Sequence, residues 1–342
     1  MLWLNETGLP RLLYDRDMEP VIIQPCFAIS DLDVTGASPA SCGVSPVASL
    51  YGVLDQKPDA DICLARVSSI GDVLLLFPVF YRIKELYPLC RISFASVQRY
   101  LPLVKYIDFI VPIEEKKMAF MEPDFGYDFN LTVERAERQG WGKNYHRSEI
   151  YARILGVDLA EYKFDLPYSD MERTMVADLL KRKGYTDGRL IGFQLRGANP
   201  SRSLPIDKVR RVIGMLASNG ISIALLDGDR NAGWEGENII NLCGDMDALE
   251  LAALIDRCDL AVSTDSGVTH IAGAVKKKNV AFFGCIPAEN RVKYPNCVVI
   301  DLAREHGCEP CWENGERCGR KWSCLSEVND KLIFDKVMEQ LQ

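Results

Sequence analysis

The sequence lacks the features that mark several protein classes. It has three histidines in 342 residues, and its longest strongly apolar stretch, 73–80, is far too short to span a bilayer. The opening residues, MLWLNETGLPR, do not combine a basic segment with a long apolar one, as a signal peptide would. Acidic residues outnumber basic ones by 48 to 40, which argues against a protein that binds nucleic acid by neutralising phosphates. These absences predict a soluble, cytoplasmic protein without a nucleic-acid partner.

What the sequence does contain indicates two α/β domains. Hydrophobic residues make up 48% of the chain, and its length suits two domains with separate cores. Short apolar runs alternate with longer amphipathic segments in one series over 61–168 and in a second over 169–342, as in βαβ units. We therefore predict two Rossmann-like domains facing each other across a cleft. Residues 1–60 are interpreted as a short N-terminal extension, an added hairpin or irregular cap.

The first candidate site lies where a predicted strand, 61–67, meets a predicted helix, 71–88. The junction reads RVSSIGDV, and three of its small residues suit a helix start that approaches a ligand: Ser68, Ser69 and Gly71. Asp72 falls in the first helical turn, where a carboxylate commonly does no more than complement the helix dipole. Spacing alone favours that structural role. A strand end facing a cleft also suits a catalytic carboxylate, so both roles stay open at this point.

The second candidate site is the sequence STDSGVTH, directly after a predicted strand at 260–264. Backbone amides at Ser266 and Gly267 would begin a helix and present donors to an anion such as a diphosphate. Asp265 could accept hydrogen bonds from sugar hydroxyls. His270 lies one turn further along, where it could reach phosphates or brace the loop.

The segments RVSSIGDVLLLFPVFYRIKELYP and STDSGVTHIAGAVKKKNVAFFG together resemble glycosyltransferase family 9, the ADP-heptose:lipopolysaccharide heptosyltransferases and their relatives. The resemblance runs over about residues 61–325, with both motifs in the family's order. It implies the GT-B fold, an acceptor bound mainly by the first domain and a nucleotide-sugar donor bound by the second. It also implies a transfer that inverts the anomeric centre.

The resemblance assigns roles to individual residues. Asp72 matches the catalytic carboxylate that takes the proton from the acceptor hydroxyl. The family's donor-binding element matches Asp265, Ser266, Gly267 and His270. In the loop GANPSRSLP, Arg202 stands where the family has a phosphate-binding lysine, and Leu204 replaces a tryptophan. Arginine can bind a diphosphate with two hydrogen bonds. These two differences from the family therefore bear on which nucleotide sugar is bound, and leave the nucleotide-sugar class of the donor in place.

Two Asp-x-Asp pairs superficially resemble the metal sites of another glycosyltransferase fold. They are Asp227 with Asp229, and Asp245 with Asp247. A strand-end turn explains the first pair, and a helix cap completed by Glu250 explains the second. We expect no metal in catalysis, because Arg202 and a helix N-terminus could stabilise the departing diphosphate.

Cysteines are crowded near the C-terminus. Of the twelve in the chain, four lie within 308–324: Cys308, Cys311, Cys318 and Cys324. The two-residue spacing of the first pair and the short loops suit four thiolates around a structural Zn or Fe. A cluster of reduced, apolar thiols is the alternative. The other eight are interpreted as free thiols of a reducing compartment.

The leading functional hypothesis is an inverting transfer of a sugar, a heptose or similar, from an ADP-heptose-like donor to lipopolysaccharide core or another bacterial glycan. A heptosyltransferase that modifies surface proteins is the alternative, supported by the cysteine cluster and the unusual first 60 residues. A second alternative is a non-catalytic module for sugar-nucleotide binding or assembly. The acceptor, the nucleotide base, the oligomeric state and peripheral membrane association are left open by the sequence.

Overall fold

The chain folds into two compact units, 1–164 and 165–342, each built of alternating strands and helices. The computed structural model describes residues 3–4, 11–14, 20–23, 50–308, 310–311 and 323–342. We call the two units unit 1 and unit 2. No helix in these described ranges is long and apolar enough to cross a membrane.

Unit 1 is built on a five-stranded parallel sheet with the order β1-β7-β4-β5-β6. The strands of the unit are β1 (Trp3–Leu4), β2 (Arg11–Tyr14), β3 (Pro20–Ile23), β4 (Asp61–Ala65), β5 (Arg91–Ser96), β6 (Ile110–Glu114) and β7 (Phe125–Asp128). Its helices are α1 (Leu50–Gln56), α2 (Ile70–Leu74), α3 (Phe77–Leu86), α4 (Thr132–Ala136), α5 (Gly142–Asn144) and α6 (Arg147–Leu155). Because β4 is the middle strand, the chain leaving it reaches the centre of the sheet's carboxyl edge, where ligands bind in such folds.

The first 60 residues contribute to unit 1. Strands β2 and β3 pair antiparallel, in keeping with the hairpin interpretation. Strand β1 was not predicted, and it extends the parallel sheet by pairing with β7. Leu50 and Leu54 of α1 are completely buried or nearly so.

Two predicted elements of unit 1 differ in the structure. The helix predicted over 71–88 is two helices, α2 and α3, with a break just before Pro78. Proline has no N–H to donate and crowds the carbonyl four residues back, so the chain restarts its helix instead of bending it. The alternating apolar residues of 127–133 also predict a strand, but the strand of this region ends at Asp128. The following residues turn through Leu131, whose φ is 68°, into α4.

Unit 2 carries a six-stranded parallel sheet with the order β10-β9-β8-β11-β12-β13. Its strands are β8 (Leu190–Gln194), β9 (Ser222–Leu226), β10 (Ile239–Asn241), β11 (Leu260–Thr264), β12 (Asn279–Phe283) and β13 (Cys297–Asp301). Its helices are α7 (Asp170–Arg182), α8 (Ile206–Ser218), α9 (Ala248–Arg257), α10 (Gly267–Ala274), α11 (Leu302–Glu305), α12 (Ser323–Ser326) and α13 (Asp330–Gln340).

Helix α8 shows how the sequence pattern builds the core of unit 2. Its buried residues recur at helical spacing and belong to the cluster that includes Ile191 and Phe193 of β8: Val209, Val212, Ile213 and Leu216. Each such side chain contributes on the order of 1.5–3 kcal/mol on full burial. The central strands are buried along their whole length, so the sheet is rigid where its carboxyl edge presents functional residues.

Candidate active site

The β4–α2 junction in unit 1 brings its predicted residues together. The Oγ of Ser69 accepts a hydrogen bond from the backbone N of Asp72 at 3.4 Å, which caps α2. The hydroxyl of Ser68 donates to Oδ2 of Asp72 at 2.9 Å. Gly71 lies between them in the first turn of α2. Asp72 is therefore fixed at the carboxyl end of the central strand.

Two guanidinium groups hold the carboxylate of Asp72. Arg66, the residue after β4, donates from Nη2 to Oδ2 at 2.8 Å. Arg147, the first residue of α6, donates from Nη1 to Oδ1. Arg66 is 1% exposed and Asp72 is 9% exposed. Exclusion of water by itself disfavours a charged carboxylate, whereas hydrogen bonds from two guanidinium groups favour it.

Each of these arginines also binds a second carboxylate. Glu134 of α4 accepts from both terminal nitrogens of Arg66. Glu137 accepts from Nε of Arg147 at 2.7 Å and from its Nη2. With Asp72 included, three carboxylates face two guanidinium groups. The cluster therefore has a surplus negative charge, and Asp72 is the carboxylate that accepts hydrogen bonds from both arginines.

The protonation of the cluster follows from these contacts. Burial by itself would lower the pKa of Arg147, but Glu137 and Asp72 outweigh burial and raise that pKa well above its ordinary value. Burial would raise the pKa of Glu134, yet its hydrogen bond from Arg66 and the charge of Arg147 lower it. Both effects keep the ion pairs charged. The phenol of Tyr151, which donates to the backbone O of Asp72 at 3.3 Å, has its pKa raised by burial and remains neutral.

Sequence reasoning missed three members of this cluster: Glu134, Glu137 and Arg147. They lie 62 to 75 positions beyond Asp72, and no local spacing ties them to it. In the sequence, these three residues look like ordinary charged residues of helical segments. Only the order of strands, which brings the chain after β7 back beside β4, places them around the carboxylate.

Unit 2 assembles its predicted residues at the carboxyl ends of adjacent strands. Strands β8, β11 and β12 are neighbours in the sheet, and the chain leaves them at Gln194, Asp265 and Gly284. Gln194 was not singled out from the sequence. Its Oε1 accepts from the backbone N of Thr264 at 3.1 Å and from Oγ of Ser266 at 2.5 Å.

The hydrogen bond to Gln194 determines what the start of α10 offers a ligand. Ser266 is the residue before α10, but its hydroxyl points to Gln194 instead of to the amides of its own helix. The amides from Gly267 onward therefore keep their donors and the positive end of the helix dipole for an anion. This is the arrangement that the sequence predicts for a diphosphate.

Arg202 and Asp265 meet in the same site. Nε of Arg202 lies 3.3 Å from Oδ2 of Asp265, whose side chain is 6% exposed. The loop that carries Arg202 closes on Gly197, where a Cβ would lie 2.3 Å from the backbone O of Arg202. Ser203 reinforces this turn by accepting from the Gly197 amide at 3.0 Å. Arg202 is thus held by a tight turn of the backbone.

The imidazole ring of His270 is held by Tyr294. Its Nδ1 shares a hydrogen bond with the hydroxyl of Tyr294 at 2.9 Å, and the residue is 3% exposed. The Tyr294 ring packs over Gly273, where a Cβ would lie 2.3 Å from ring carbons. Tyr294 therefore fixes the orientation of the His270 ring. A contact to phosphate would have to come from Nε2.

The Asp-x-Asp pairs have the structural roles predicted for them. Asp227 accepts from Arg196 at 2.7 and 2.9 Å, and Asp229 accepts from the same side chain at 3.2 Å. Asp247 caps α9 by accepting from Leu249 N and Glu250 N at 2.8 and 2.9 Å. The capping box is confirmed.

The cysteine prediction falls partly on residues that the structure does not describe. Cys318 lies outside the described residues. Of the others, Cys324 lies against Gly284 at the end of β12, with Sγ 3.2 Å from the Cβ position of that glycine. Cys311 lies close enough to influence the pKa of Cys285, which burial raises. In the described ranges, no three His, Cys, Asp or Glu side chains group as a metal site would require, so Cys308, Cys311 and Cys324 do not form one by themselves.

Comparisons with known proteins identify the family and the fold. Residues 145–321, just over half of the chain, match the sequence model of Glycosyltransferase family 9 (heptosyltransferase). No curated protein sequence matches. Solved structures share the fold, and the three described next are 15 to 17% identical in sequence to this chain.

The first of these structures is a glycosyl transferase family 9 protein from Veillonella parvula, with a TM-score of 0.63 over 82% of this chain and 97% of that one. The second is the iron-containing dodecameric glycosyltransferase TibC of enterotoxigenic E. coli, with 0.64 over 82% and 78%. The third is the E. coli ADP-heptose lipopolysaccharide heptosyltransferase II, with 0.56 over 82% and 98%. The predicted GT-B fold is confirmed.

Proposed function

Because the chain belongs to glycosyltransferase family 9, we propose that it transfers a heptose or similar sugar from an ADP-heptose-like donor to a hydroxyl of a bacterial glycan, such as lipopolysaccharide core. One observation carries this proposal: a buried Asp72 at the carboxyl end of β4, bound by two guanidinium groups and with a hydroxyl already donating to Oδ2. Unit 2 has the start of helix α10, which can receive a diphosphate. The donor class follows the names of the matched E. coli structures.

The hydroxyl of Ser68 marks where an acceptor would bind. It donates to Oδ2 of Asp72, and an acceptor hydroxyl placed there would donate in the same direction. As the acceptor oxygen forms its bond to the anomeric carbon, its proton passes to Asp72. The bond between the anomeric carbon and the diphosphate oxygen breaks on the opposite face. A single displacement of this kind inverts the anomeric centre.

The residues of unit 2 suit the departing nucleoside diphosphate. Arg202 brings a guanidinium that can bind two phosphate oxygens, and the amides at the start of α10 bring oriented donors. Charge that develops on the leaving oxygen is stabilised best by donors fixed beforehand, and the Gly197 turn and Gln194 fix these. We propose that these groups stabilise the diphosphate without help from a divalent ion.

The test is the substitution Asp72→Asn, which preserves shape but cannot accept the proton. Transfer should fall by about 10²–10⁴-fold, the usual contribution of a general base. The Kd of ADP, which reports unit 2, should stay within about twofold, well under the tenfold that 1.4 kcal/mol represents. Asp229→Asn removes an Arg196-paired carboxylate from unit 2 and should leave transfer unchanged. Full transfer by the Asp72 variant contradicts the proposal, and ADP binding without turnover in the native protein favours a non-catalytic module.

The acceptor class needs a separate measurement. Radiolabelled ADP-heptose is supplied with truncated lipopolysaccharide in one reaction and with unmodified bacterial surface proteins in another. We expect label in the glycan. Label found only in protein would replace the glycan acceptor by the protein acceptor considered from the sequence.

The four-cysteine metal site stays a prediction. TibC is named as iron-containing, and this chain would need Cys318 together with the described Cys308, Cys311 and Cys324. Four thiolates leave no open coordination position, so such an ion would stabilise the fold and take no part in the chemistry. Elemental analysis should find about one Zn or Fe per chain, and less in Cys308→Ser. A native protein with neither metal rules the site out.

A further inference from the structure

We propose that Arg147 and Glu137 act as a positioning pair for Asp72. Arg147 binds Oδ1 while Arg66 and Ser68 bind Oδ2, so the carboxylate keeps one orientation. Glu137 offsets the charge of Arg147 so that Asp72 keeps its basicity. This inference rests on the proposed function, because it takes Asp72 as the general base. Neither residue was found from the sequence.

The contacts of Arg147 use its whole guanidinium fork. Nε and Nη2 donate to the two oxygens of Glu137, and Nη1 donates to Oδ1 of Asp72. Arg147 and Glu137 are each 5% exposed. A planar group tied at one end to a buried carboxylate cannot rotate without breaking both of those bonds. The other end therefore holds Asp72 in one orientation.

The local backbone fixes both partners. Glu137 begins a kinked segment, Glu137–Trp141, after α4, and Gly140 within it has a φ of 113°, which residues with a Cβ rarely adopt. Arg147 begins α6, which is capped by His146 and Glu149 in a capping box. The pair thus joins two separately anchored segments at the carboxylate.

The charges around Asp72 are matched one to one. Three residues contact Asp72 directly: Arg66 after β4, and Arg147 and Tyr151 of α6. Tyr100, from the 3-10 turn 98–104, lies near enough to interact with its charge. Glu134 of α4 contacts both arginines. Arg66 has Glu134 as its own counter-carboxylate, and Arg147 has Glu137. Two unmatched guanidinium groups would make Asp72 a very weak base. The two glutamates prevent this.

If the ion pair served only to stabilise the fold, removing it would destabilise the protein and leave the pH dependence of kcat/KM unchanged. The positioning role predicts opposite shifts in the low-pH limb of the kcat/KM profile. Removing the cation in Arg147→Gln should raise the pKa of that limb by about one unit, and removing the counter-carboxylate in Glu137→Gln should lower it by about one unit. Arg147→Lys keeps the charge but not the fork, so the limb should stay in place while kcat falls about tenfold or more.

Removing one member of a buried pair leaves the other uncompensated, so Arg147→Gln alone can fail to fold. The double variant Glu137→Gln/Arg147→Met removes both charges together. It should fold, keep the limb near its native pH and lose kcat. Arg173→Gln, which removes an exposed cation from α7, is the matched control and should change neither quantity.

The outcomes separate this inference from the proposed function. Circular dichroism and the Kd of ADP establish that each variant is folded. If Asp72→Asn still transfers sugar, the proposed function fails. If Asp72→Asn is inactive while the limb stays fixed in folded Glu137→Gln and Arg147→Gln and kcat is unchanged in Arg147→Lys, the positioning role alone is overturned.

Discussion

The two candidate sites differ in the groups that surround their functional atoms: charged side chains in unit 1, and mainly neutral hydrogen-bonding groups in unit 2. In unit 1, a buried carboxylate is surrounded by two guanidinium groups and two further carboxylates. In unit 2, backbone amides, the Gln194 side chain and a hydroxyl dominate, with Arg202 and Asp265 as an ion pair. Charged neighbours fix the orientation of Asp72 in unit 1. In unit 2, the amides at the start of α10 are left as donors for an anionic ligand.

The difference has a consequence for stability. Buried charges depend on each other, because a charge left without its partner in a low-dielectric interior is strongly destabilising. Hydrogen bonds from amides and hydroxyls contribute less individually, about 0.5–1.5 kcal/mol each. We therefore expect charge removal to affect folding in unit 1 and ligand affinity in unit 2.

The largest expected effect is that of Arg66→Met. Arg66 is almost completely buried and binds both Asp72 and Glu134. Removing it leaves two carboxylates facing each other, which should lower the free energy of unfolding by about 3–5 kcal/mol. Urea denaturation followed by circular dichroism measures the loss.

The matched substitution in unit 2 is Arg202→Met. The Arg202 side chain is 22% exposed and its contact with Asp265 is longer, at 3.3 Å. The expected loss of stability is about 1 kcal/mol or less. Equal losses for Arg66→Met and Arg202→Met would contradict the contrast between the two sites.

Donor affinity should show the reverse pattern. Arg202→Gln should raise the Kd of ADP by about 10–100-fold, because a charge-assisted contact to phosphate is lost. Arg202→Lys keeps the positive charge without the guanidinium fork and should recover part of that affinity. Calorimetric titration with ADP measures both. An unchanged Kd for Arg202→Gln would remove Arg202 from the donor site.

Gly197→Ala tests whether the turn that carries Arg202 matters. A Cβ there would lie 2.3 Å from a backbone oxygen, which cannot move aside as a flexible side chain could. The loop must open, so we expect a Kd for ADP raised by about tenfold, equivalent to about 1.4 kcal/mol. Gly214→Ala is the control: among the described residues a Cβ at Gly214 of α8 meets open space, so stability should rise by about 0.5–1 kcal/mol. ADP affinity that is the same in both variants would contradict a role for the turn.

The sequence predicted the parts of the sites that are local in the chain. Ser69 capping α2 and Asp247 capping α9 follow from residue types two or three positions apart. The start of α10 after β11 follows from periodicity in the same way. A pattern within one turn of helix is enough to specify these features.

Features that depend on strand order could not be predicted. Arg147 reaches Asp72 across 75 positions, and Gln194 reaches Ser266 across 72. Both contacts exist because parallel strands bring distant loops to one edge of a sheet, which spacing along the chain does not encode. The turn at Leu131 was missed for a related reason. Its apolar, β-like sequence context favours a strand, and burial of Thr132, Val133 and Ala136 in α4 overrides that local preference.

The smallest expected effect concerns backbone strain beside the unit 1 site. Leu131 has a φ of 68° although its side chain is 77% exposed, and it immediately precedes α4, which carries Glu134. The positive-φ residues Asn238 and Lys276 of unit 2 instead precede β10 and β12, at the edge opposite its candidate site. Strain of this kind costs about 1–2 kcal/mol for residues with a Cβ.

Leu131→Gly should therefore raise the free energy of unfolding, by less than about 1 kcal/mol because glycine also gains freedom in the unfolded chain. Leu131→Ala retains a Cβ and should give no gain. Thermal unfolding of the two variants measures the difference. If the strain serves to hold α4 and Glu134 against Arg66, the more stable glycine variant should also transfer sugar more slowly, with its Kd for ADP unchanged. Stability and transfer that rise together would show that the turn is incidental to the charged cluster, and the contrast between the two sites would then rest on the ion pairs alone.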